Sequence, residues 1–220
     1  MAGPAGESYG LADIHIHSSV SDGVVDIPRI LEYVEQKTTL DVIAVTDHDE
    51  IRGAFQAREL VAKSGYRFEV VVGMEVTTVE GHLLVLFLEK PVPSYQPMAS
   101  TIEAAHAEGG LCIVPHPLRR LNNCIDQATL DRVWDSLDGI EMVNPSVPDY
   151  LRLAGIEQTD RERRPLAELG GSDAHIPTQI GYGYTVFQGR SAANLRQSLL
   201  NKTTRAGWQR KGKAEVGPEA

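Results

Sequence analysis

A cysteine framework, an apolar run of membrane-spanning length and an excess of positive charge are all missing from this 220-residue sequence. Its two cysteines, Cys112 and Cys124, form neither a paired framework nor a zinc-finger spacing, which leaves two reduced thiols as the expected state. The longest apolar run, Leu83 to Leu88, falls far short of the roughly 20 residues that cross a bilayer. Residues 1–10 are rich in Gly, Ala and Pro and lack a basic segment followed by an apolar one, so no secretory leader is expected and the predicted location is cytoplasmic. Positive charge is in the minority: 21 Lys and Arg face 30 Asp and Glu, a net charge of -9 with a pI near 5.3. Such a chain repels long duplex nucleic acid but suits a site that gathers divalent cations. Membrane partners are likewise not expected, and the oligomeric state is open.

What the chain does have is 42% hydrophobic residues, enough for one well-cored domain, arranged as short apolar strands alternating with helices. Leu11 to His17 reads as a strand ending in two histidines. Asp26 is a candidate N-cap with Pro28 in the first turn of a helix whose apolar face is Ile27, Ile30, Leu31 and Val34. A strand over Val42 to Val45 and a helix over Arg52 to Lys63, stopped by Gly65, come next. Phe68 to Val72 is a strand, and the residues from Val76 to Leu88 predict a hairpin leading into a further buried strand. Thr101 to His106 is read as helix, Leu111 to Val114 as strand, Ala128 to Leu137 as helix and Gly139 to Val143 as strand. Arg161 to Leu169 is read as helix, Thr185 to Phe187 as strand and Ala192 to Leu200 as helix. From about Gly207 a frayed polar tail is expected. This gives a flexible segment over 1–10, one β/α domain over 11–206 and a tail over 207–220.

An open doubly wound sheet and a barrel both fit that alternation. The polar residues favour the barrel, because His15 and His17, His48, Glu75, His116, and Asp173 with His175 each follow an apolar strand. Strand C-termini are where β/α barrels carry their sites, and an open sheet would rarely bring five separate strand ends together. Six of the seven histidines (His15, His17, His48, His82, His116 and His175) fall at strand ends or starts, and only His106 lies in a helix. One such histidine would ordinarily be a core or surface residue. Six, together with Asp22, Glu75 and Asp173, form a metal-ligand constellation, and residues two apart on a strand, such as His15 and His17, face one side and can share an ion.

Taken together, Asp13-x-His15-x-His17, Ser21-Asp22-Gly23, Thr46-Asp47-His48-Asp49, Gly73-x-Glu75, His82 before an apolar strand, Pro115-His116-Pro117 and Ser172-Asp173-Ala174-His175 resemble the PHP (polymerase and histidinol phosphatase) family. The resemblance runs from about Leu11 to Leu200. It implies an α/β fold, a single distorted (β/α)7 barrel with a metal site at the C-terminal rim of its strands. It also implies a metal-dependent phosphoesterase holding two to three divalent ions, Mn, Fe or Zn, which suit imidazole and carboxylate without thiolate. Carried over residue by residue, His15, His17, Glu75 and Asp173 would hold one ion. Glu75 would bridge to a second with His82 and His116, and Asp22, His48 and His175 would hold a third. Glu75, Asp173 and His175 are the expected catalytic residues. His82 fits least well, because it begins a strand where the others end one.

Around this set, Asp13 and Asp47 could orient imidazoles by accepting their free N–H, with turn or capping roles equally open. Asn144 ends a strand on the same rim. Arg119 and Arg120, and less directly Arg52, are candidate phosphate-binding residues, since guanidinium forks suit phosphate oxygens. The mixed-sign run from Asp160 to Arg164 reads as a solvated helix face. The expected reaction is in-line attack by a metal-bridging hydroxide on a phosphate ester of a small molecule or nucleotide. Alternatives are an exonuclease or nucleotidase on short nucleic acid, a related binuclear amidohydrolase and a metal-stabilised binding module. Against the amidohydrolase stands the want of a mid-chain strand-end lysine to bridge metals. Against the binding module stands the completeness of the ligand set.

Overall fold

A computed structural model describes residues 8–117, 124–145, 164–210 and 213–216. Its elements follow in the order β1 (Tyr9–Ile16), α1 (Ile27–Lys37), β2 (Val42–Val45), α2 (Arg52–Ser64), β3 (Glu69–Thr78), β4 (Gly81–Leu86), α3 (Met98–Ala107), β5 (Leu111–Val114), α4 (Gln127–Val133), β6 (Gly139–Val143), β7 (Ala167–Gly170), β8 (Gly183–Gln188), α5 (Ala192–Leu200), β9 (Arg205–Arg210) and β10 (Lys213–Val216). Local chemistry sets several boundaries. The Asp26 carboxylate accepts from Arg29 N and caps α1, which buries Ile27, Ile30, Leu31 and Val34. Gly65 ends α2 in the left-handed region at φ 69°, where a side chain is disfavoured.

The strands form one sheet in the order β10-β9-β8-β1-β2-β3-β4-β5-β6-β7. β1, β2 and β3 are parallel neighbours, as are β5, β6 and β7, while β4 runs antiparallel between the two sets. The sheet curls until β7 comes back against β8 and the end of β1. Ile16 bridges Ala174 just beyond β7, with His17 N donating to Ala174 O at 3.0 Å. Lower down, the Thr185 hydroxyl on β8 accepts from Gly170 N and donates to Gly170 O. Two apolar layers follow from strand alternation. Alternate residues including Ala12, Val42, Val71, Leu84, Ile113 and Leu169 fill one cluster with Phe187, Leu195 and Leu199. Their chain neighbours, such as Ile43, Val72, Val85 and Cys112, pack against α1, α2 and α3 in the other. The barrel expected at sequence level is thus the architecture found, as a nearly closed sheet.

Two sequence expectations fail. The predicted helix over Arg161 to Leu169 is not formed where it can be followed: residues 164–166 are irregular and Ala167–Gly170 is strand β7. Pro165 breaks a helix there, and Ala167 and Leu169 are buried beside β6 while Glu168 faces out. The tail is not frayed from Gly207, because β9 pairs with β8 and Gln209 ties to Tyr182 O and Gly181 O. The absence of a side chain at Gly207 lets Tyr184 lie against it, since a Cβ would sit 2.4 Å from the ring. No helix among the described residues is long and apolar enough to cross a membrane.

Candidate metal centre

The rim of the barrel brings together every histidine and carboxylate assigned to the ligand set. A β-bulge in β1 between Asp13 and Ile16 makes this possible at the first strand. Ala12 and Ile14 join one apolar cluster and Ile16 the other, so the strand changes face, and His15 and His17 turn towards Glu75. β2 continues past its end into a bridge between His48 and Glu75, supported by Asp49 N to Glu75 O at 3.0 Å. His82 enters because β4 runs backwards. In the β3–β4 register it faces Thr77, so the start of β4 lies at the same rim as the end of β3.

Glu75 is the hub. It is 1% exposed, and five imidazoles converge on its two oxygens. On Oε2 stand His15 Nε2 at 3.1 Å, His17 Nε2 at 3.2 Å and His48 Nδ1 at 3.4 Å. On Oε1 stand His82 Nδ1 at 2.9 Å and His116 Nε2 at 3.2 Å. Asp173 Oδ1 lies 3.5 Å from His15, 3.4 Å from His17 and 3.7 Å from His175. Asp22 completes the outer side, 3.2 Å from His175 Nε2 and 3.6 Å from both His17 Nδ1 and His48 Nε2. His17 and His48 therefore each offer one nitrogen towards Glu75 and the other towards Asp22. Asp49, His116 and Asp173 hold positive φ values of 55°, 30° and 52°, so three of the strand-end residues here carry backbone strain of the kind that collects at functional sites.

Donor chemistry and spacing fit divalent ions. Both ring nitrogens of His17 are buried with no hydrogen-bond partner of acceptable geometry among the described residues, although carboxylate oxygens stand 3.2–3.6 Å away. Ligand atoms about 2.1 Å from one ion lie roughly 3.0 Å apart at octahedral corners and about 3.4 Å apart at tetrahedral ones. The imidazole–carboxylate separations of 2.9–3.7 Å cover that range. Groups able to hold an ion include His15, His17 and Asp173; His15, Glu75 and His116; His48, Glu75 and His82; and His17, Asp22, His48 and His175.

The electrostatics agree. Burial opposes the charge on Glu75, but His15 and the other imidazoles outweigh it and hold the carboxyl well below its usual range. Asp173 is held low in the same way, chiefly by His15 and His17 against its burial. Burial likewise disfavours the imidazolium of His17, yet Asp173 and Glu75 raise its pKa to about 9. His116 is lifted to about 10 against its burial by Cys124 and Glu75. Unlike the imidazoles of His17 and His116, that of His48 shifts down, because burial dominates. A site that binds protons this firmly offers its nitrogens to cations, and protons and metal ions compete for them.

Several neighbours differ from expectation. Neither Asp13 nor Asp47 touches an imidazole nitrogen. Asp13 accepts from the backbone N–H of Ser172, Gly181 and His15, stapling the barrel seam, and burial raises its pKa to about 6. Asp47 accepts from Ser18 and Ser21 and so shapes the loop bearing Asp22. A carboxylate outside the expected ligand set that does bond a rim imidazole is Glu141, at 3.1 Å from His15 Nδ1, which sequence reasoning missed. The signal was available, since an acidic residue interrupts the apolar strand Gly139–Val143. Asn144 donates to it at 2.8 Å. Arg52 is paired with Glu50 at 2.7 Å, its side chain largely exposed. Arg119, Arg120 and most of the Asp160–Arg164 run lie outside the described residues.

The PHP domain family model matches residues 13–144, and a PHP-associated model matches residues 161–204. An uncharacterized protein of Methanocaldococcus jannaschii is 37% identical over 145 residues, 60% of this chain and 81% of that one. A phosphoribosyl 1,2-cyclic phosphate 1,2-diphosphodiesterase of Eggerthella lenta is 34% identical over 104 residues, and the match spans 44% of this chain but only 38% of that protein. A two-domain Bacteroides vulgatus protein, described as containing a predicted PHP-like metal-dependent phosphoesterase, superposes with a TM-score of 0.75 at 21% identity, over 93% of this chain and 66% of that one. That likeness speaks for the fold, and the matched residues 13–144 take in the strand ends from His15 to His116. With the rim ligands assembled as the resemblance required, the chain belongs to the PHP domain family.

Proposed function

We propose that this metal-dependent phosphoesterase hydrolyses a phosphate ester of a small molecule or nucleotide at a di- or trinuclear centre. The observation that carries the reading is Glu75, a buried carboxylate under five imidazoles, with Asp173 beside His15 and His17 and Asp22 beside His17 and His48. His15, His17, Glu75 and Asp173 would hold one ion, Glu75 with His82 and His116 a second, and Asp22, His48 and His175 a third. Mn, Fe or Zn suits this donor set. Bound there, the ions would supply Lewis-acid stabilisation of phosphoryl oxygens and lower the pKa of attacking water.

The chain's own groups do the rest. Glu75, Asp173, Asp22 and Glu141 bring four carboxylates to the cluster, whose charge when ionised matches two divalent ions. His175 and Asp22, the most exposed of the set, would meet a phosphate at the open side first, with Asp173 more deeply placed beside them. Arg119 and Arg120, three and four positions beyond His116 in sequence, are the proposed anchors for non-reacting phosphate oxygens. Bulk substrates are disfavoured by the net charge of -9, which favours a compact anion over a long duplex.

The test is release of phosphate or alcohol from a panel of monoesters, diesters including cyclic ones, and nucleotides, with Mn, Fe or Zn supplied and His15→Ala alongside. Turnover that needs metal and vanishes in the variant is expected. Full turnover after exhaustive chelation would overturn the reading.

A further inference from the structure

Glu141 lies mid-strand in β6 with 0% exposure, and all its contacts point to one task. Its Oε1 stands 3.1 Å from His15 Nδ1. Its Oε2 accepts from the backbone N–H of His116 and from Asn144 Nδ2, each at 2.8 Å. Across the sheet the place of a side chain at residue 171 is already taken, because a Cβ on Gly171 would lie 2.4 Å from Glu141 Oε1 and 2.7 Å from the Cβ of His15. We propose that Glu141 is a positioning residue that fixes the tautomer of His15 and ties it to the backbone of His116, coupling two metal positions that share Glu75.

The chemistry follows from donors and acceptors. An ionised carboxylate only accepts, so the proton of a neutral His15 ring must sit on Nδ1, facing Glu141. The lone pair is then left on Nε2, the nitrogen that faces Glu75 at 3.1 Å and Asp173 at 3.5 Å. The other oxygen of the same carboxylate holds the start of the His116 turn, a residue at φ 30° whose backbone needs an external hold to stay there. A glutamine in this place has one carbonyl and one amide. If the amide faces His15, Nδ1 must accept and the proton moves to Nε2, where it blocks an ion. If the amide faces the other way, it meets the N–H of His116, donor against donor. No orientation of glutamine serves both histidines, so the carboxylate rather than its shape is what the site uses.

This inference rests on the metal-centre reading above, and its test separates the two. Glu141→Gln and the wild-type protein would be titrated with Mn by calorimetry, and the zinc-loaded forms compared by proton–nitrogen NMR of the histidine rings. Expected is a tenfold to hundredfold loss of Mn affinity in E141Q, the range typical for partners of metal-bound histidines. The His15 Nδ1–H signal of the zinc-loaded wild type should also be lost. Wild-type affinity and an unchanged Nδ1–H signal in E141Q would overturn the proposal while leaving the metal centre standing. Failure of the wild type itself to bind Mn or Zn would overturn both. Should circular dichroism show E141Q unfolded, Glu141→Asp decides. It keeps the carboxylate but withdraws it by one methylene from His15 Nδ1 and His116 N, and a loss of Mn affinity supports the coupling whereas unchanged affinity refutes it.

Discussion

Single residues in this protein carry unusually different burdens for the same chemistry. Glu75, Asp13 and Glu141 are all buried carboxylates, yet one gathers imidazoles, one gathers backbone N–H groups and one holds both. Replacing Glu75 with Gln should reduce Mn affinity by more than about 100-fold, beyond what an outer partner of a ligand contributes. Calorimetric titration measures this, and an affinity within tenfold of wild type would contradict the hub role. Asp13 makes a pH prediction. Its folded pKa of about 6 lies above the ordinary 3.8, so the folded state binds the proton more tightly. The corresponding stability is fully present below about pH 4 and is lost as pH rises through 6, by about 3 kcal/mol over the window. In chelator, the advantage of wild type over Asp13→Asn in urea unfolding should therefore shrink from pH 4 to pH 7. An advantage that grows with pH would show the sign to be wrong.

At the scale of elements, the site depends on places where regular structure is interrupted. The bulge in β1 turns His15 and His17 inward, and the Asp47 staple with Ser18 and Ser21 sets the loop that offers Asp22. Gly53 at the start of α2 lies under that staple, and a Cβ there would sit 2.2 Å from Asp47 Oδ2. Gly53→Ala should displace Asp47 and cost about 1–3 kcal/mol of stability. It should also lower the number of ions bound, read by elemental analysis after gel filtration, whereas full occupancy with unchanged stability would exclude the staple as a determinant. The seam between β7 and β8 is similarly exposed to test. Thr185→Val keeps the shape but leaves Gly170 N and O without their hydroxyl partner, an expected cost of about 1–3 kcal/mol in urea unfolding. A neutral outcome would mean that closure does not depend on this contact.

Much of this element pattern could be read from the chain. Helices α1 and α5 and strands β2, β5 and β6 fall where apolar periodicity and capping residues place them. What escaped depended on partners distant in sequence. Arg161 to Leu169 is rich in helix formers, and it is the pairing with β6 that makes Ala167–Gly170 a strand. His82 looked out of place because strand direction is not written in a strand's own composition. Glu141 was invisible for the same reason as β7: its partners are 126 and 25 residues away along the chain.

For the molecule as a whole, the metal centre and the barrel closure are one object. His17 N pairs with Ala174 O across the seam, and Asp173 and His175 on the far side face His15, His17 and Asp22 on the near side. Ions held between them would act as a clasp on the sheet. Removing metal with chelator should lower the melting temperature, and adding Mn back to about 100 times its dissociation constant should restore about 2.7 kcal/mol. Scanning fluorimetry tests this, and a melting temperature indifferent to metal would place the clasp elsewhere.

The reversal of β4 makes the turn between Thr78 and Gly81 a ruler. Side chains along a strand alternate between faces, so removing one residue from that turn would swing His82 into the helix-side core and bring Leu83 to the rim. Removing two would restore the parity but draw the strand back by one step, leaving Leu84 where the imidazole belongs. The loop that looks most ordinary in this barrel is therefore among the least free to change length, and insertions tolerated at other surface turns should be lethal to the centre here.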